Sequence, residues 1–116
     1  MKITIKSLKL LHAYEPQVAL FEQLYPDGVE LPDSGQERQT VLDNAARDGL
    51  NVQWWLQRTN GTGTGRQWYN GQLIRESHHH DGHYQDPADG TAALRSWYHD
   101  GQLADESHYP DGQPNG

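Results

Sequence analysis

The second half of the chain is divided at regular intervals by Asn-Gly and Asp-Gly dipeptides. They begin at positions 60, 70, 81, 89, 100 and 111, so the intervals are 10, 11, 8, 11 and 11 residues. These dipeptides supply the positive φ angles that tight hairpin turns require. The segments between them have ordinary strand lengths. The spacing therefore predicts an antiparallel β-meander over residues 67–116.

The same region contains a direct sequence repeat. Gly71–His78 returns thirty residues later as Gly101–His108, and a Trp-Tyr pair precedes each copy. Because one such unit cannot bury its apolar face alone, we expect neighbouring units and the N-terminal helices to cover it. The residues predicted to form this covered face are Trp68, Leu73, Leu94, Trp97 and Leu103.

The first half has helical periodicity over residues 1–58. Thr4 is expected to cap a helix over 5–12, and Pro16 suits the first turn of a second helix. Ser34 and Glu37 have the spacing of a capping box, which predicts a third helix to Arg47. Asn51 is expected to cap a short fourth helix.

The Gly-Thr run within residues 59–66 is predicted to be a flexible joint between the two halves. The predicted fold is thus α+β, with N-terminal short helices packed on a C-terminal antiparallel β-meander of repeated hairpins. A chain of 116 residues is the size of one compact domain.

The charge is unevenly distributed. The formal net charge is −7, and residues 60–116 carry three Arg against eight Asp and Glu. Direct binding to nucleic-acid phosphates is disfavoured because it needs clustered cations. A protein partner with a basic surface is favoured by the negative charge. The acidity also has a simpler interpretation, in which it only keeps the protein soluble. There is no Cys, no signal peptide and no run long enough for a membrane span, so we expect a cytoplasmic protein.

The histidine-rich run from His78 to His83 is the strongest candidate for a metal-binding motif in the sequence. His78 and His80 lie two apart on a predicted strand, so they share a face and could share a metal. Asp81 and Gly82 are already needed for the turn, however, and we predict neither a physiological metal site nor a cofactor. Ser77 and His78 are adjacent, so they point to opposite faces and form no nucleophile–base pair. We therefore expect a non-catalytic protein.

Trp54 and Trp55 are adjacent on the fourth predicted helix. Both cannot face the same core, so one of them is expected to be partly exposed. Because Trp is enriched in interfaces, that residue is a candidate anchor for a partner. Tryptophan and tyrosine on an open meander could alternatively stack on a sugar-like or choline-like ligand.

The pattern W-Y-(x)-(N/D)-G-Q-L at Trp68–Leu73 and Trp97–Leu103 resembles the MORN-type hairpin repeats of small bacterial and phage proteins. The first half is similar to the helical leader of small phage and prophage accessory proteins, through Met1–Ile5, Gln17–Phe21 and Gly49–Trp54. The second resemblance implies a phage or prophage origin. Neither resemblance implies a catalytic residue.

These observations lead to a functional hypothesis. The chain is expected to bind and inhibit a bacterial host protein with a basic surface, in the manner of an anti-CRISPR inhibitor of an effector subunit. The alternative is a structural or antitoxin-like repeat protein, and an aromatic ligand-binding module comes third. The predicted partner-binding residues are Asp81, Asp86, Asp89, Asp100, Asp105, Glu106, Asp111, Trp54 and Trp55.

Overall fold

The computed structural model describes residues 1–110, so Asp111 and the last predicted turn lie outside the described residues. The first half contains β1 (Lys2–Ile3), α1 (Ile5–Leu10), α2 (Glu15–Leu24), β2 (Val29–Glu30), α3 (Gly35–Arg47) and α4 (Val52–Arg58). The second half contains β3 (Gly63–Tyr69), β4 (Gln72–His80), β5 (His83–Tyr84), β6 (Leu94–Trp97) and β7 (Leu103–Ser107). This arrangement confirms the predicted α+β fold.

Two of the predicted helix caps are formed. The Thr4 hydroxyl accepts the Ser7 amide at 3.1 Å, and the Asn51 side chain accepts the Trp54 amide at 3.0 Å. The capping box at Ser34 is wrong, because the Ser34 side chain makes no cap hydrogen bond. Gly35 follows it with a left-handed φ of +78°, so the chain enters α3 on a path that keeps the hydroxyl away from the N3 amide.

Ten of the twelve buried apolar residues in the described chain form one cluster among the helices and the short β1–β2 pair, whereas Ala92 and Ala93 lie outside it, just before β6. Its members are Ile3, Leu8, Val18, Phe21, Leu31, Leu42, Ala46, Val52, Trp55 and Leu56. The core therefore belongs to the first half of the chain, and the sheet is attached to its side. Within the described residues, every helix is too short or too polar to cross a bilayer.

Helix α3 runs alongside β3 with matched spacing. Four helical residues rise about 6 Å and two strand residues about 6.6 Å, so side chains four apart on α3 can meet alternate residues of β3. The resulting contacts join Gln39 to Thr64, Asp43 to Arg66, and Arg47 to Trp68. Gln39 donates to the Thr64 carbonyl and accepts its amide, both at 2.8 Å. The outer edge of β3 is therefore closed by α3.

The prediction of a flexible joint is wrong for the second half of residues 59–66. Gly63 and Gly65 belong to β3 and pair with His79 and Ser77 of β4. A Cβ on Gly63 would lie 2.9 Å from the Leu42 side chain, and one on Gly65 would lie 3.0 Å from the Gln53 backbone. The glycines are thus needed for the close approach of the helices to the sheet.

The larger sheet is antiparallel with the order β3-β4-β6-β7, and β5 also pairs with β4. The segment between β5 and β6 is a loop whose two ends both hydrogen-bond to the backbone of His78 on β4. Gln85 donates to the His78 carbonyl at 3.1 Å, and His78 donates to the Ala93 carbonyl at 2.8 Å. The Asp89-Gly90 dipeptide lies in this loop and does not form a hairpin turn between adjacent strands.

The two sequence repeats fold into hairpins with the same pairing. Trp68 is opposite Leu73, and Trp97 is opposite Leu103. In each hairpin the register shifts immediately before the tryptophan, as at a β-bulge. The similarity in sequence is therefore matched by similarity in local backbone pairing.

The predicted covered face is only partly correct. Trp68 packs against the helical core, but Leu103 is 51% exposed. Leu73, Leu94 and Trp97 are half-buried. The difference arises because α3 and α4 pack mainly on β3, at the opposite edge of the sheet from β7.

Candidate functional site

A network of charged side chains is centred on Glu76 of β4, which is 5% exposed. Its carboxylate accepts hydrogen bonds from Arg66 at 3.0 Å and from Arg95 at 2.6 Å. His78 lies 3.1 Å from the same carboxylate. Arg66 also donates to both oxygens of Asp43 at 2.9 Å, which ties the sheet to α3.

Alternation along the strands brings this network together. Arg66, Glu76 and Arg95 are opposite one another on three adjacent strands, so their side chains share a face. The hydrogen bond to His78, together with those from Arg95 and Arg66, outweighs burial and holds the pKa of Glu76 well below its usual range. Glu76 is therefore a buried anion whose charge is matched by its neighbours.

The opposite face of β4 carries a buried pair formed by Ser77 and His79. The Ser77 Oγ lies 2.8 Å from His79 Nε2, and these residues are 0% and 4% exposed. The prediction about Ser77 and its adjacent residue His78 missed this pair. Residues two apart on a strand share a face, so the alternation that places His78 and His80 together also places Ser77 beside His79. The sequence therefore contained the information needed to predict the pair.

The second ring nitrogen of His79, Nδ1, has no hydrogen-bond partner among the described residues. Burial lowers the pKa of His79 to about 4, and the charge of His78 acts in the same direction. His79 is therefore a neutral imidazole near pH 7. The pair has the atoms of a nucleophile and a base, but a substrate cannot reach a fully buried Ser77 without local opening of the sheet.

Asp86 has a local structural role. Its carboxylate accepts the Ala93 and Tyr109 amides, each at 2.8 Å, and lies 3.0 Å from His108 Nδ1. These contacts fasten the β5–β6 loop to the chain after β7. Only 18% of the Asp86 side chain is exposed, so it presents little surface to a partner.

The other predicted acidic residues within the described chain lie on the surface, at Asp81, Asp89, Asp100, Asp105 and Glu106. Asp81 and Asp100 lie in the β4–β5 and β6–β7 turns, and Asp89 accepts the Thr91 amide within its loop. Asp105 and Glu106 lie on β7, where all residues from Leu103 to Glu106 are exposed. The structure does not bring the whole set together at one place.

Strand β7 lies at the end of the sheet order, and it pairs with β6 on its other side. An edge strand carries backbone groups that point away from the sheet. The Asp105 carboxylate accepts the Glu106 amide at 2.9 Å, and Asp100 accepts the Gln102 amide in the preceding turn at 2.9 Å. We call Asp100, Asp105 and Glu106, with the β7 backbone, the acidic edge.

The two adjacent tryptophans have different environments. Trp55 is 8% exposed and belongs to the hydrophobic core. Trp54 is half-buried and packs against that core from outside. Trp54 is therefore the member of the pair that reaches the surface, and Trp55 cannot serve as an exposed anchor.

An aromatic patch lies at the hairpin ends of the sheet. Tyr69 stacks on His99 with ring centroids 4.4 Å apart. Tyr69, Tyr98 and Leu103 are 50%, 59% and 51% exposed. These residues come from both repeats, so their hairpin ends lie side by side.

The histidine run does not form a metal site within residues 1–110, where no group of three or more His, Asp or Glu has a suitable arrangement. His78 Nδ1 is 3.0 Å from the Thr64 hydroxyl, and His78 Nε2 faces Glu76. His80 is exposed and lies 3.5 Å from an Asp81 oxygen. These two side chains thus have different neighbours.

We expect Zn²⁺ to bind the His78–His83 run only weakly. Dialysis against a chelator should leave the melting temperature unchanged, because the hydrogen bonds of His78 need no metal. Thermal unfolding monitored by circular dichroism, before and after dialysis, is the measurement. A decrease of more than about 10 °C would indicate metal-linked stability and would contradict the prediction.

Comparisons of this chain with protein-family models, with curated proteins and with solved structures find no match.

Proposed function

We propose that this protein acts by binding another protein, and that the acidic edge contacts a basic surface of that partner. One observation carries the proposal: within residues 1–110, β7 is an edge strand, and its two carboxylate residues, Asp105 and Glu106, are exposed. Apart from the Glu106 amide, which Asp105 already accepts, the backbone edge offers hydrogen-bonding groups, and the side chains offer charge of one sign. An extended partner segment rich in Lys or Arg would match both features.

The pairing of the arginines supports this proposal. Arg66 and Arg95 point at Glu76, so their positive charges are matched inside the network. The acidic side chains of β7 have no comparable burial. Arg75 of β4 is an exposed cation that borders the same groove as Asp105 and Glu106. The three carboxylates of the acidic edge outnumber it, so the exposed charge there is mainly negative, which favours rapid association with a positive partner.

The finer proposal concerns the partner. The chain is proposed to be a phage- or prophage-derived inhibitor that acts in the bacterial cytoplasm on a host protein. A nucleic-acid-binding defence complex such as a CRISPR effector is a suitable target class, because its nucleic-acid channel is basic. Inhibition would be steric and electrostatic, since the acidic edge would occupy a surface that otherwise holds phosphates. A structural or antitoxin-like repeat protein is the rival proposal.

The double substitution Asp105→Lys with Glu106→Lys tests the acidic edge. We expect slower association with a partner captured from bacterial lysate, with the larger effect at low salt because charge attraction is least screened there. The free energy of unfolding should change by only about 0.5 kcal/mol, because both side chains are exposed. Association and dissociation rates at two salt concentrations are the measurement.

The matched control is Glu22→Lys with Asp27→Lys, which makes the same change in net charge on exposed residues of the helical half. It should leave the association rate much closer to that of the original protein. Normal, salt-insensitive binding by the β7 variant would contradict the proposal. If Trp54→Ala instead speeds dissociation while both charge variants bind normally, the anchor lies on α4.

A second candidate function is favoured by the aromatic patch. Exposed Tyr69, Tyr98 and Leu103 provide flat apolar surface beside the β6–β7 turn. Such a surface suits the ring of a sugar or the methyl groups of a choline-like ligand. Tyr98→Ala should abolish such binding while leaving the acidic edge intact, which separates the two candidates.

A further inference from the structure

A cleft of about 260 Å³ lies where the helices meet the β3–β4 hairpin. One wall comes from α2, the α3–α4 connection and α4, and the other from the two strands. The side chains that matter for its chemistry are Gln17, Gln53, Arg66, Gln67, Trp68 and Arg75. The cleft is separate from the acidic edge, which neither provides its lining nor lies on the same strands.

The charge of this cleft is opposite to that of the protein. Among the described residues that line it there are two arginines and no Asp or Glu, although the chain has a net charge of −7. Arg66 is already matched by Asp43 and Glu76. Arg75 is exposed, and no carboxylate of residues 1–110 forms an ion pair with it. The carboxylates of Asp105 and Glu106 border a different groove on the other side of Arg75.

The polar wall is held in place by hydrogen bonds that need no ligand. The Gln17 amide donates to the Gly49 carbonyl at 3.1 Å and accepts the Asn51 amide at 2.8 Å. The Gln53 amide donates to the Tyr84 hydroxyl at 2.9 Å. A ligand would therefore meet a wall that is already ordered, which lowers the entropic cost of binding.

Trp68 supplies the aromatic part of the lining, beside the aliphatic Ala46 and Leu50. Its indole is held from one side by Arg47, whose guanidinium carbon lies 4.9 Å from the ring centroid. The cleft therefore combines a fixed aromatic side chain with an exposed guanidinium.

We propose that this cleft binds a small anion that carries a flat ring, with Arg75 contacting the anionic group and Trp68 contacting the ring. A planar guanidinium suits carboxylate and phosphate oxygens, which it can hold with two parallel hydrogen bonds. The shared ligand chemistry is that of aromatic carboxylates and nucleoside monophosphates. The volume limits the ligand to a small molecule, since drug-sized sites begin at roughly 300 Å³.

The test is a titration of the full chain followed by NMR, using the indole N–H signal of Trp68 assigned from a Trp68→Phe spectrum. The probes are indole-3-carboxylate and AMP, with benzamide as a neutral ring and inorganic phosphate as an anion without a ring. We expect saturable shifts of the Trp68 signal with one or both ring anions. The probe that binds with the higher affinity indicates whether the cleft prefers an aromatic carboxylate or a nucleoside monophosphate.

The variant Arg75→Gln should weaken binding of the ring anions by at least tenfold. The matched control Lys6→Gln removes an exposed charge from α1, outside the cleft, and should leave the affinity unchanged. Equal binding of benzamide, equal binding of phosphate, or no Trp68 shift at millimolar concentrations would each overturn the proposal. Unchanged affinity in Arg75→Gln would overturn it as well.

Discussion

Replacing Glu76 with alanine is expected to lower the free energy of unfolding by about 3 kcal/mol, because it leaves two arginines facing each other without the carboxylate that separates them. The lower end of the range for buried ion pairs applies, since the side chains of Arg66 and Arg95 remain 25% and 28% exposed. In a domain of this size the melting temperature should fall by roughly 10 °C or more. Urea unfolding and thermal unfolding are the measurements.

Glu106→Ala is the matched control, because Glu106 lies directly opposite Arg95 on the neighbouring strand but is exposed. It should change the free energy of unfolding by only about 0.5 kcal/mol. Similar effects of the two substitutions would show that the network around Glu76 contributes no more than a surface charge. A folded Glu76→Ala variant of unchanged stability would show that the Glu76 carboxylate is not needed to hold Arg66 and Arg95 together.

The second large effect is an acid-induced loss of stability at His79. The ordinary pKa of 6.5 is lowered to about 4 in the folded protein. Below pH 6.5 the unfolded chain takes up a proton at His79 while the folded chain does not, so the free energy of unfolding decreases as the pH falls. The contribution of His79 to this decrease should be about 3 kcal/mol and should be complete near pH 4. Below that pH the lowered pKa of Glu76 should continue the loss of stability.

The variant His79→Gln removes this titration and keeps a side-chain amide near the Ser77 hydroxyl. Its free energy of unfolding should depend less steeply on pH between 6.5 and 4, whatever its absolute stability. His80→Gln is the control, because His80 is an exposed neighbour on the same strand. Equal pH dependence in all three proteins, measured by urea unfolding at several pH values, would show that His79 does not cause the loss.

Much of the fold was predictable because turn chemistry and capping are local. Asn70 and Gly71 adopt φ angles of 50° and 79°, as a two-residue hairpin turn requires. Asn51 caps α4 through its own side chain. In both places the decisive atoms lie within four residues of one another, so the sequence alone carries enough information.

The candidate site was less predictable because it depends on register between distant segments. Glu76 is buried because it lies between Arg66 and Arg95 on neighbouring strands. The residues next to Glu76 in the sequence do not reveal this position. The order of Gly63–Gly65 in β3 likewise depends on the approach of α3 and α4. Ser34 shows the converse case, where a correct local spacing fails because Gly35 redirects the chain.

The contrast between the two outer strands limits how copies of this chain can associate. Gln39 occupies the hydrogen-bonding groups of Thr64 on β3, whereas none of the four described helices lies beside β7. A strand of another copy could therefore pair with β7 but not with β3, the outer strand at the opposite edge of the sheet. Head-to-tail growth into a fibre needs two complementary edges on every copy. With one edge closed, strand pairing ends after a single addition.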